Sequence, residues 1–136
     1  MHTLHVPASW KWSAIILMAV VGLIHLLEAP EYFREATYLG VLFLANALGA
    51  VVAIWGIIQE SVWGWLLGVF VAAGALIAYF ISRAVGLPGF ANAPWFESMD
   101  ILSLIVEAAF VAIAVKVLSE WPFARIHRTG RPPTAT

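Results

Sequence analysis

Four apolar stretches, each about as long as a bilayer is thick, leave this chain few folds to choose from. They run over about Trp12 to Ala29, Ala36 to Ile58, Trp63 to Ala84 and Met99 to Leu118. A helix needs about 20 apolar residues to cross ~30 Å of hydrocarbon at ~1.5 Å per residue. Within lipid, each backbone N–H and C=O must find its partner inside the protein, which favours helices. The sequence therefore predicts an all-α, integral membrane four-helix bundle over residues 1–121, followed by a polar tail over 122–136. Composition agrees: 62% of the residues are hydrophobic and 11% charged, against about 25% charged in an ordinary soluble domain. Lipid replaces the polar shell that so few charges cannot build.

The connections set the order of the helices. Pro30 lacks an N–H and is expected to end the first span. Only Gln59, Glu60 and Ser61 join the second and third spans, which forces an antiparallel hairpin. Residues 85–98 carry Gly86, Pro88, Gly89 and Pro94 and read as a structured loop. Beyond Pro122 the tail holds Arg125, Arg128, Gly130, Pro132 and Pro133, a composition of disorder. Lys11, Lys116, Arg125, Arg128 and Arg131 fall on the side of the termini, and Arg34 and Arg83 on the other. The positive-inside rule then places both termini in the cytoplasm of a cell whose inner (plasma) membrane the protein crosses several times. The lipid bilayer is its first partner. A row of small residues, Gly64, Gly68 and Ala72, predicts a close helix contact, within the bundle or between copies in a homo-oligomer.

Several functions are excluded at once. There is no cysteine, hence no disulfide, thiolate ligand or thiol nucleophile. A net charge of -1 gives no electrostatic case for nucleic acid.

Polar groups inside a span are informative because a mid-span carboxylate costs about 2.5–3.5 kcal/mol on insertion scales. Counting residues puts His25, Glu28, Asn46, Tyr79, Arg83, Asp100 and Glu107 in the half of the membrane away from the termini. Asp100, Ser103 and Glu107 are spaced i, i+3, i+7 on one helical stripe. His25 and Glu28 are neighbours at i, i+3, and Tyr79 and Arg83 extend the small-residue row. Stripes turned inward would make one pocket, with Glu31, Glu35 and Glu97 at its mouth and a preference for cations. The plainer alternatives are a helix-start role for Asp100, a snorkelling Arg83, Asn46 as interhelical glue and a solvated glutamate rim.

A metal site is the leading chemical reading. His25, Glu28, Glu31 and Glu107 are the candidate ligands, with Asn46, Tyr79, Arg83 and Asp100 as further cofactor-binding residues. Imidazole and carboxylate donors suit zinc, copper or iron. One histidine within the spans and no cysteine argue against haem. The alternatives are a proton- or cation-coupled transporter or channel subunit, a lipid or small-molecule pocket, and a structural membrane subunit.

Gly22-Leu-Ile-His25, Ala29-Pro-Glu-Tyr-Phe33, Leu42-Phe-Leu-Ala-Asn46, Trp63-Gly-Trp-Leu-Leu-Gly68 and Ser82-Arg-Ala-Val-Gly-Leu-Pro-Gly89 together resemble a family of small four-span bacterial membrane proteins. The resemblance covers about half the chain and implies the architecture alone. More distantly, the four-span layout with Gly-x-x-His near the end of the first span is similar to DoxX-like membrane proteins.

Overall fold

A computed structural model describes residues 4–90 and 94–129, with side chains as far as Trp121. The tail expected to be disordered from 122 is instead helical as far as Thr129; its side chains and residues 130–136 lie outside the described residues. Four helices follow one another: α1 (Ala8–Glu35), α2 (Thr37–Ile58), α3 (Val62–Ala84) and α4 (Ser98–Thr129). Each contains a stretch long and apolar enough to cross a bilayer, so the chain is an all-α, multi-pass membrane protein. The helices alternate in direction. Both termini leave one end of the bundle, here the terminal end; the α1–α2 and α3–α4 connections form the other, the distal end.

α1 does not stop at Pro30. It runs through the proline to Glu35, contrary to expectation. The missing N–H removes one rung of the ladder near the end of the helix, where the following glutamates reach water. Tyr32 holds this last turn in place by stacking on Phe43 of α2 with ring centroids 3.9 Å apart. Its carbonyl accepts the Ala36 N–H at 3.0 Å. Ala36, extended at φ -158, is the single residue between α1 and α2.

Packing is a ring in which α1 touches α2 and α4, and α3 touches α2 and α4; α1 and α3 also meet across the diagonal. At the terminal end the interior is filled. Ala14, Met18, Ile57, Trp65, Ala72, Phe110 and Ala114 are fully enclosed, with Trp65 and Phe110 stacked at 6.4 Å. Small residues permit this closeness. Gly64 lies against the Gly56 backbone of α2, Gly68 lies beneath Phe110 and Met18, and Ala72 is buried. The Gly64, Gly68, Ala72 row is thus used inside the chain, where it offers no surface to a second copy. The N-terminal segment seals this end: Leu4 is buried, its N–H donates to Glu60 O at 2.7 Å, and Lys11 Nζ pairs with Glu60 Oε1 at 2.9 Å.

Candidate functional site

α2 and α3 meet at their Gly56–Gly64 contact near the terminal end and open towards the distal end. A staple marks the middle, where Asn46 Nδ2 donates to the Val71 carbonyl at 3.1 Å. Gly74, one turn further along α3, has no heavy atom within 4 Å of where a Cβ would stand. The opening leads into a cavity of about 400 Å³ enclosed by all four helices.

The lining is divided by helix. α1 supplies His25, Glu28 and Tyr32, and α4 supplies Asp100, Ser103 and Glu107. The α2 and α3 walls are mostly apolar, with Leu42, Phe43, Gly49, Leu67, Phe70 and Gly74 among them. Leu42, Phe70 and Gly74 belong both to the cavity and to the outside of the bundle, Phe70 being 76% exposed. The cavity is therefore open sideways, towards the lipid.

Glu107 lies nine residues into α4 and His25 ten residues before the end of α1. At ~1.5 Å per residue both sit about 14 Å from the distal ends of their helices. Glu107 is 2% exposed and accepts a hydrogen bond from Ser103 Oγ at 2.8 Å. His25 Nδ1 donates to the Val21 carbonyl at 2.9 Å. That bond fixes the tautomer of the neutral ring and turns the Nε2 lone pair towards Glu107, whose Oε1 is 3.8 Å away. This separation is too long for a hydrogen bond.

Nearer the distal end, Arg83 forms a buried ion pair with Asp100 and donates from Nη1 to Ser82 Oγ at 3.0 Å. The guanidinium lies 4.7 Å from the Tyr79 ring centroid, a cation–π distance. Arg83 thus points inward rather than snorkelling, and Asp100 combines a place in the first turn of α4 with a buried cationic partner. The distal loop closes the top. Leu87 and Phe90 exchange backbone hydrogen bonds at 2.9 Å and both line the cavity, while Tyr38 and Tyr79 hold the Pro88 and Trp95 carbonyls.

Seven of the eight expected site residues therefore share one cavity: His25, Glu28, Asn46, Tyr79, Arg83, Asp100 and Glu107. Glu31 does not line it and is exposed. Among the described residues, no three His, Asp or Glu side chains gather closely enough to hold one metal ion. Geometrically, the four-ligand set His25, Glu28, Glu31 and Glu107 thus shrinks to the pair His25 and Glu107. Tyr32, Ser82, Phe43 and Phe90 were missed. For Tyr32 a signal existed: with His25 and Glu28 it completes the i, i+3, i+7 stripe of α1.

Comparison of the chain with known protein families, with curated proteins and with solved structures finds no match.

Proposed function

We propose that this protein binds a small amphiphilic molecule, which enters from the lipid between α2 and α3 and is held at its polar end chiefly by α1 and α4, with Asn46 of α2 beside them. The division of the cavity wall carries this reading. One side is mostly apolar and open to the bilayer, its polar groups confined to Asn46 and the distal Tyr79, Ser82 and Arg83, and the other presents His25, Glu28, Asp100 and Glu107. A volume of about 400 Å³ lies in the range of small-molecule sites, roughly 300–1,000 Å³.

The test is photocrosslinking in lipid nanodiscs with diazirine-tagged decyl chains bearing ammonium, hydroxyl or carboxylate heads. At least one should label residues 42–49 and 67–78. Gly74→Leu, which fills the opening, should cut that labelling by about tenfold, equivalent to ~1.4 kcal/mol, with helical content unchanged. Labelling spread evenly over lipid-facing positions such as Leu23, Ile105 and Val115, and indifferent to Gly74→Leu, would remove the reading.

Binding of a transition-metal ion is a second reading, favoured by the His25 Nε2 lone pair facing Glu107 Oε1 at 3.8 Å. Tetrahedral zinc with ligands at ~2.0–2.2 Å sets such atoms about 3.4 Å apart, so a small adjustment would admit an ion. The chain then supplies two donors, and the ligand or water must supply the rest. Elemental analysis should find about one ion per chain, lost in both His25→Ala and Glu107→Gln. Purified protein that holds no metal after supplementation with zinc, copper and iron eliminates it. Transport finds less support, because Met18, Trp65 and Phe110 fill the bundle towards the terminal end.

A further inference from the structure

Among the residues that line the cavity, the polar groups without partners are mostly acceptors. Asn46 donates its amide N–H to a carbonyl, which fixes the orientation of that amide and leaves Oδ1 buried with no donor. His25 has committed Nδ1–H to Val21, so the neutral ring offers a lone pair at Nε2. Glu107 takes one hydrogen bond, from Ser103, of the roughly four a carboxylate accommodates. Glu28 lines the cavity with neither a hydrogen bond nor an ion pair among the described residues. Against these acceptors stand, among the described residues, two donors, Arg83 Nε and the Tyr32 hydroxyl; the rest of that guanidinium is engaged by Asp100, Ser82 and Tyr32.

Charge points the same way. Three carboxyl side chains line the cavity against one guanidinium, which among the described residues pairs with Asp100. A buried acceptor left without a donor is destabilising, and more so when it is charged. The occupant that relieves this arrangement brings positive charge and several N–H bonds together. The aromatic rings of Tyr32 and Phe43, stacked beside His25, suit a cation as well.

Resting on the amphiphile reading above, we infer that the ligand is a lipophilic amine bound as its ammonium ion. The N–H bonds go to Glu107, Glu28 and Asn46 Oδ1, and the apolar body lies against Leu67, Phe70 and Gly74.

Equilibrium dialysis of radiolabelled decylamine, decanol, decanoate and decyltrimethylammonium tests this, using zwitterionic nanodiscs with and without the protein. Decylamine should be retained at about one molecule per chain, about tenfold (~1.4 kcal/mol) more tightly than decanol or decanoate. Decyltrimethylammonium, a cation without N–H, should bind less well than decylamine. Glu107→Gln, Glu28→Gln and Asn46→Leu should each weaken decylamine retention, with circular dichroism confirming intact helices. The comparison of head groups on the wild-type protein stands even if a variant fails to fold. Equal retention of decanol or decanoate, blocked by Gly74→Leu, overturns the amine and leaves the amphiphile site standing. Equal retention of decyltrimethylammonium, or decylamine binding indifferent to all three substitutions, also overturns it. Retention of no compound above empty nanodiscs removes both readings.

Discussion

Gly64→Leu is expected to be among the most damaging single substitutions in the bundle. A Cβ at this position would stand 2.6 Å from both the Gly56 Cα and the Ile57 N, which are backbone atoms of α2. No rotamer relieves a clash with backbone, so the helices must separate. The hairpin resists that separation: Ser61 N–H bonds Gly56 O at 3.0 Å and Gly64 N–H bonds Ser61 O at 3.1 Å. Overpacking of this kind should cost about 3 kcal/mol or more. Thermal unfolding followed by circular dichroism in detergent should show a large loss, with a smaller one for Gly64→Ala. Gly74→Leu provides the contrast. Its Cβ meets nothing within 4 Å, and stability should move by no more than about 0.5 kcal/mol. Equal effects at the two glycines would mean that α2 and α3 do not meet as described.

Arg83→Leu is the second large effect. The Arg83 and Asp100 side chains are 3% and 7% exposed, and removing the guanidinium leaves a buried carboxylate in a wall that already holds Glu28 and Glu107. Breaking one side of a buried pair typically costs about 3–5 kcal/mol. The double variant Arg83→Leu/Asp100→Leu removes both charges and should recover about 2 kcal/mol or more of that loss, the usual size of strong coupling between contacting residues. Reversible unfolding of the four proteins of this cycle measures it. Additive losses would show that the two side chains do not depend on each other.

The polar half of the cavity was legible because helical spacing is local. Asp100, Ser103 and Glu107 repeat at i, i+3, i+7, and a carboxylate so far from a helix end has no end effect to explain it. Glu31 was misplaced for a related reason. Depth along the chain is countable, but Glu31 stands beside the His25, Glu28, Tyr32 stripe rather than on it, and it is exposed where Tyr32 lines the cavity. The proline was over-weighted because one lost hydrogen bond costs less near a helix end, where water is at hand, than in mid-span.

Span number, span length and the depth of each polar group follow from the sequence alone, because hydrocarbon thickness fixes how many apolar residues a helix needs. Rotation of each helix about its own axis does not. Lipid-facing and core-facing sides are both apolar here, so hydropathy cannot say which way a helix turns, and packing decides. Tertiary structure alone therefore gave Arg83 to Asp100 rather than to Glu28. It also spent the Gly64 row inside the chain and parted α2 from α3 at Gly74. That parting has no local signature. The Gly56–Gly64 contact holds the helices together at one end, whereas a Cβ at Gly74 would meet nothing.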